Sequence, residues 1–396
     1  MPRISRTLPL AAATLLVLAA PAGAQSPGAS GGAPQLPPLP DGFTLVTAGL
    51  NSPRGLTVTS DGVIYVAESG VGGPDSCIEH PELGNMCFGM TGGISKVEGG
   101  AATRVVDGLP SGITDGGETL GASAVAVAAD GTIWYTVGGP GVGAADLRAQ
   151  IAGAEGIGHL YKVGADGTST SVADLAAWEV ANNPDKDLPG NETPDSNLNG
   201  LAIAADGSVL VADAGGNDLL SVAADGTVSV VGVFPVVFHA LPPDPTASMD
   251  PNASPAMIPM DPVPTSVAIA EDGTIYVGQL TGFPFPKGEA SVFTVAAGQD
   301  PVKYAEGFTN VIGVALAPDG TLYVAEISHE GLASGAEGLP MGGLWKVPAG
   351  GGTPELITDA LPMPGGIAVA ADGTVYVTTC AVCPNGGGIA SYQPSM

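Results

Sequence analysis

Basic residues are scarce in this 396-residue chain: 11 Lys and Arg stand against 39 Asp and Glu, a formal net charge of −28. So acidic a surface repels phosphate backbones and anionic headgroups, which argues against nucleic acid and anionic membranes as partners. Histidine occurs only at positions 80, 159, 239 and 329, and no G-x-S-x-G elbow joins a strand to a helix, so a serine triad has no support. Beyond the N-terminus no apolar run approaches the roughly 18 residues that a membrane-crossing helix needs. Helical periodicity longer than about three turns is also missing, which rules out a scaffold of packed helices.

What the chain has instead is one short segment written six times. The copies read GLTVTSDGVIYVAE from Gly55, AVAVAADGTIWYTV from Ala124, GLAIAADGSVLVAD from Gly200, SVAIAEDGTIYVGQ from Ser266, GVALAPDGTLYVAE from Gly313 and GIAVAADGTVYVTT from Gly366. Each reads as two strands of alternating small and β-branched residues around an Asp-Gly turn, a strong hairpin signal. The turn aspartates are Asp61, Asp130, Asp206, Asp272, Asp319 and Asp372. Their spacing matches or exceeds the roughly 40–45 residues of a four-stranded propeller blade. The expected fold is all-β: a six-bladed β-propeller of four-stranded antiparallel blades carrying insertions. The last unit has only one further strand, GGIASY from Gly387, so FTLVTAGL at Phe43–Leu50 is expected to complete it and close the ring.

Arg3 and Arg6 precede an apolar run from Leu8 to Ala20, and Ala22-Gly23-Ala24 forms a signal-peptidase site. Residues 1–24 are therefore expected to be a signal peptide, 25–40 a flexible Gly/Pro/Ser-rich leader and 41–393 the propeller. Cleavage removes two arginines and no acid, shifting the net charge from −28 to −30. The expected product is a secreted monomer, extracellular or periplasmic. In that compartment the four cysteines suggest two disulfides, and the local pairings Cys77–Cys87 and Cys380–Cys383 are favoured. Cross-blade bridging, or a zinc site including His80, is the alternative.

Counting along the strands puts every long insertion on one face of the ring. These are Ser69–Met90, Gly138–Gly158, Ala176–Asn199, Pro235–Pro264, Leu280–Glu289 and Ile327–Gly342. Long connections gathered on one face suggest a binding surface. Seven residues after the turn aspartates of blades one, three and five stand Glu68, Asp213 and Glu326. The bland reading of these acids is that each accepts N–H bonds from its own loop. Seven residues before the six turn aspartates, at the mouth of the axial channel, stand Arg54, Ser123, Asn199, Thr265, Ile312 and Gly365. Arg54 is nearly opposite Glu68 across its hairpin and is expected to pair with it. Arg54 and Asn199 are expected to orient a polar ligand, with Glu68, Asp213, Asn217, Glu326 and His329 on the same face.

The stretch EVANNPDKDLPGNETPDSNLN from Glu179 to Asn199 is rich in hard oxygen donors. Calcium is a candidate ligand there, through Asp185, Asp187, Asp195 and Asn197, although Pro and Asx residues also simply build turns. No other cofactor is indicated.

The segments SPRGLTVTSDGVIYVAES, CIEHPELGNMCFGMTG, WEVANNPD with DSNLNG, and VADAGGNDLLSVAADGTVSVVGVFP resemble the ScyD/ScyE family of exported bacterial propellers. The resemblance runs from about Phe43 to Tyr392 and implies a six-bladed propeller. A more distant likeness is to gluconolactonase-type lactonases, whose NGL segment resembles Asn199-Gly200-Leu201. That family's axial acidic ligands have no counterpart at Arg54, Ser123, Thr265, Ile312 or Gly365. The functional expectation is thus a binding propeller that takes a small molecule or protein on its loop-rich face. A calcium-dependent lactonase, or a lyase of the streptogramin-lyase type, is the alternative.

Overall fold

The computed structural model describes residues 36–394 apart from 75, 81–82, 140–147, 152, 241–256 and 336–337. The expected signal peptide and most of the leader lie outside the described residues. Six antiparallel blades of four strands each, the first extended to a six-stranded sheet, form a six-bladed β-propeller. Blade one comprises β2 (Pro53–Val58), β3 (Ile64–Glu68), β5 (Gly84–Glu98) and β6 (Ala101–Thr114), with β4 (Ser76–His80) added beside β5 and β7 (Thr119–Leu120) beside β6. Blade two is β8 (Ala122–Val127) to β11 (Ser169–Asp174), and blade three is β12 (Leu198–Ile203), β13 (Val209–Asp213), β14 (Asp218–Val222) and β15 (Val228–Val233). Blade four runs from β18 (Pro264–Ile269) to β21 (Val302–Phe308), and blade five from β22 (Val311–Leu316) to β25 (Glu355–Pro362).

Blade six is closed by the N-terminal strand. Beyond β26 (Ile367–Val369), β27 (Val375–Thr379) and β28 (Gly387–Tyr392) lies β1 (Phe43–Leu50), paired from Phe43 opposite Tyr392 to Leu50 opposite Gly387. The blade therefore has strands from both ends of the chain, which leaves no open seam in the ring. Between blades three and four, β16 (Val237–Ala240) and β17 (Met257–Met260) form a separate two-stranded ribbon.

The Asp-Gly segments do make the inner hairpins, though with a different turn from the two-residue type. Gly131 N–H donates to Ala128 O, Ala128 N–H donates to Thr132 O, and Asp130 Oδ1 accepts the Thr132 N–H at 2.9 Å. Only the glycine is left-handed, Gly131 at φ 86°, and the aspartate is not. A type I turn followed by a left-handed glycine fits these bonds, whereas a I′ turn would need positive φ at both central residues.

Apolar packing lies between blades, with one buried cluster at each of the six interfaces. Val211 and Leu220 of blade three meet Leu160 and Leu175 on the side of blade two, and Leu210 and Leu219 meet Val277 and Phe293 of blade four. At the axis the inner strands come so close that a Cβ on Gly200 would lie 2.6 Å from Ser266 Cα. Hydroxyls then clasp neighbouring blades: Ser69 donates to Ala122 O at 3.1 Å, Ser123 to Leu198 O at 2.7 Å, Thr265 to Val311 O at 2.7 Å and Thr378 to Arg54 O at 3.0 Å.

Cys77 is bonded to Cys87 and Cys380 to Cys383. The first pair joins directly opposed residues of β4 and β5, and closing so short a loop contributes roughly 2–3 kcal/mol. Among the described residues no helix is long and apolar enough to cross a membrane.

Candidate functional site

The inner strands of blades two to five share an irregularity that makes the channel mouth. Register slips between Ala122 and Ala124, Leu198 and Gly200, Pro264 and Ser266, and Val311 and Gly313, so Ser123, Asn199, Thr265 and Ile312 are bulged and have no cross-strand partner. A bulge re-aims the side chain it releases. These four residues, with Gly365 and the small and branched residues that follow each of them, line an axial channel of about 450 Å³ that includes its opening to solvent. Ser123 and Thr265 have their hydroxyls engaged with the next blade. Asn199 is half-buried, and among the described residues its side chain makes no hydrogen bond.

Arg54 is not among the lining residues, and it does not pair with Glu68. In blade one the slip runs from Pro53 to Leu56, so Arg54 is released from the ladder. Its guanidinium instead donates to Thr119 O at 2.6 Å and Ser69 Oγ at 3.3 Å and feels the charge of Glu118. Burial pushes Glu118 up to about 8, and Arg54 only partly offsets this. Glu68 is held by Arg104 of β6 at 3.2 Å, the Asn51 N–H at 2.7 Å and the Ser95 hydroxyl at 2.5 Å.

The other two acids of this ring are equally engaged. Glu326 accepts the Thr309 N–H at 2.7 Å, with His329 Nδ1 2.6 Å from its second oxygen, and burial raises its pKa. Asp213 Oδ1 accepts N–H groups from Asn197 at 2.6 Å and from Gly215 and Gly216 at 3.1 Å each, while Oδ2 accepts the Ser196 hydroxyl at 2.7 Å. The ring of acids thus ties each inner strand's entry loop to its blade. The other histidines lie apart: His159 near Arg148 and Asp174, His239 near Glu289, and His80 accepting the Leu83 N–H.

On the outer side of blade three a second group of acids gathers. Helix α1 (Leu175–Asn182) begins at the N-cap Asp174, whose side chain accepts the Ala177 N–H, and ends at Asn183 in the left-handed region. The helix presents Glu179, 1% exposed, and the loop beyond it presents Asp185, 3% exposed. Burial, reinforced by neighbouring acids, pushes Glu179 up to about 9 and Asp185 to about 7. Asp218, the cross-strand partner of Asp213, is wholly buried and raised well above the carboxylate range, first by burial and then by Asp213, Glu179 and Asp185. Asp185 Oδ2 accepts from the Asn217 amide at 2.9 Å, and Asn217 also accepts the Val263 N–H at 3.3 Å. Asn191 continues this network to Asp261 at 3.0 Å.

Of the four expected calcium ligands, Asp185 and Asp195 are buried here, and Gly215 lies against Asp195 Oδ1. Asp187 is exposed, and Asn197 Oδ1 faces Gly138 of the blade-two loop. Glu179 and Asp218 were not singled out as ligands in the sequence. The available signal was the placement of Asp218 opposite Asp213, since like charges directly opposite each other destabilise a sheet. Among the described residues no three His, Cys, Asp or Glu side chains are grouped so as to hold a metal ion by themselves.

No family model matches the chain, and no curated protein matches it. Among solved structures it is similar to a streptogramin B lyase, at 12% identity over 89% of this chain and 97% of that one, with a TM-score of 0.45. It is also similar to the PQQ-bound aldose sugar dehydrogenase of Streptomyces coelicolor, at 13% identity over 88% and 97% of the two chains, TM-score 0.47. A gluconolactonase of Xanthomonas campestris is 14% identical over 73% and 81%, TM-score 0.40. Similarity at this level assigns no activity.

Proposed function

We propose that the protein is an exported, non-catalytic propeller of the ScyD/ScyE type that binds a small, neutral, polar ligand at the axial mouth, with Asn199 as the orienting group. The observation that carries this reading is the chemistry of the channel lining. It consists of glycine, alanine, branched aliphatic, serine and threonine side chains and a single amide, without a carboxylate, imidazole, thiol or amine. General acid–base or metal-assisted hydrolysis needs such a group at the reacting centre. Glu68, Asp213 and Glu326 have backbone partners that occupy them. A half-buried carboxamide with both donor and acceptor available orients a neutral polar ligand, since Asn offers two donors and an acceptor. Export is supported by the N-terminal apolar segment and by two disulfides, which persist in oxidising compartments.

The test is a thermal-shift screen of neutral polyols, monosaccharides and lactones, followed by calorimetric titration of the best binder. Asn199→Ala is expected to retain Tm and weaken that binder at least about tenfold, the loss of one or two hydrogen bonds. Unchanged affinity in Asn199→Ala removes the mouth as the site. Turnover of a lactone that stops on chelation replaces the binding reading with the enzymatic one.

A further inference from the structure

We propose, on the reading of the axial mouth as the binding site, that its ligand is a neutral amphiphile: a hydroxylated head held by Asn199, with a hydrocarbon part laid along an apolar rim from Ile312 to Phe283. The opening has two unlike halves. Ser123, Asn199 and Thr265 stand on the consecutive blades two, three and four, whereas blades five and six contribute Ile312 and Gly365. The inner strands pack in that ring order, β8 on β12, β12 on β18, β18 on β22 and β22 on β26, so the polar residues are contiguous and the remaining side is apolar. No side chain of the lining is charged, and a charged head would find no counter-ion there.

Ile312 carries the apolar half out of the channel. It belongs to one buried cluster with Leu280, Phe285, Leu332 and Met363, against which Val263 packs half-buried. Phe285 meets Phe283 edge to face at 6.4 Å between ring centroids, and Phe283 is 57% exposed. Continuity with the channel distinguishes this ring from a lone surface hydrophobe, and its area remains available for burial against a ligand. Asn310 holds the rim together: its Nδ2 donates to Leu280 O at 2.8 Å, and its Oδ1 accepts the Leu332 N–H at 3.0 Å.

Backbone strain supplies a second, independent observation. Asparagine tolerates the left-handed region, whereas β-branched and bulky side chains resist it. Among the described residues the β-branched or bulky ones found there are Val263 at φ 51°, Thr281 at 73°, Phe285 at 57° and Met363 at 34°. Three of these belong to the rim or pack against it, and Thr281 follows Leu280. Strain of this kind persists only where the surroundings over-determine it, and it gathers at ligand sites. The net charge of −28 repels anionic amphiphiles and anionic bilayers, which leaves a single neutral molecule as the occupant.

The experiment titrates the mature, disulfide-intact protein calorimetrically with methyl, butyl and hexyl glucoside and with the matching glycerol ethers, all below their micellar concentrations. Affinity is expected to rise roughly thirtyfold from the methyl to the hexyl member, about twofold for each partly buried methylene. Phe283→Ser is expected to cut that rise to below about threefold with Tm unchanged, because the ring is already exposed. Ile312→Thr, which copies the residue of blade four, serves as the second variant, and Asn199→Ala is expected to weaken every member about equally. A chain-length dependence that both rim variants leave intact overturns the rim. If polyols bind through Asn199 but chain length has no effect, the amphiphile is overturned and the mouth stands as the site. Chain-length dependence indifferent to Asn199→Ala overturns both, as does a lack of binding by these probes and by polyols alike. Binding to phosphatidylcholine vesicles without binding of the monomeric probes makes the rim a membrane contact and overturns the soluble ligand.

Discussion

Asp272, at the tip of an inner hairpin, is exposed, accepts the Thr274 N–H at 2.9 Å and is held below the ordinary aspartate range by that bond. On the opposite face Asp213 accepts four hydrogen bonds, yet burial still raises its pKa. The same side chain in the same fold is thus shifted in opposite directions, and solvent decides the sign. At the turn, water solvates the charge and the N–H adds to it. In blade three desolvation outweighs four donors. Acids repeated on the hairpin face are turn chemistry, whereas those on the loop-bearing face fasten elements that are distant in sequence.

The largest expected effect that tests this contrast is at Asp213. Asp213→Ala leaves three N–H groups and a hydroxyl without their acceptor in a buried setting, and a loss of about 4 kcal/mol is expected by urea denaturation. A loss below about 1 kcal/mol would mean the entry loop does not depend on this acid.

The next effect is a dependence on pH. Glu118 is raised from an ordinary 4.5 to about 8, so between those values the unfolded chain releases a proton that the folded chain keeps. Its contribution is fully present below about 4.5 and is lost as pH rises toward 8. Glu118→Gln is expected to flatten the decline of Tm between pH 5 and 8, and an unchanged profile would show that Arg54 keeps Glu118 ionised.

Asp174 is intermediate, with a side chain 35% exposed that caps α1 and lies 2.8 Å from Arg148. Asp174→Ala is expected to cost about 1 kcal/mol, the usual worth of such a cap, with a loss of helical circular dichroism too small to alter the blades. Asp272→Ala is expected to produce the smallest change, a Tm lowered by no more than about 2 °C. A larger drop would mean that the turn aspartates do more than hold their own hairpins.

The blade count, the closing strand at Phe43–Leu50 and both disulfide pairings were legible because each depends on residues close in sequence or on a repeat. The engagement of the ring acids with loop N–H groups was also readable as the bland alternative. The partner of Arg54 was not. Counting across an ideal hairpin placed Glu68 opposite it, but the bulge from Pro53 to Leu56 breaks that count. Arg104, more than one strand away, takes Glu68 instead. The stretch from Glu179 to Asn199 was recognisable as donor-rich, but not which donors would meet, since Asp187 and Asp185 differ by two positions and lie on opposite sides of the burial boundary.

The sequence by itself determined the six hairpins, because a turn aspartate, a left-handed glycine and alternating strands act over a few residues. It also determined the small residues at the axis, because their period is that of the repeat. Counting in the sequence put Asn199 at the channel mouth, but only the tertiary structure decided that Ser123 and Thr265 hold the next blade while, among the described residues, the Asn199 amide makes no hydrogen bond. Only the tertiary structure brought Glu179 and Asp185 near enough to Asp218 for their charges to act on it. Those encounters depend on how bulges and crossings fold between blades, and burial, which sets the charge of every acid there, arises only when the blades have closed around them.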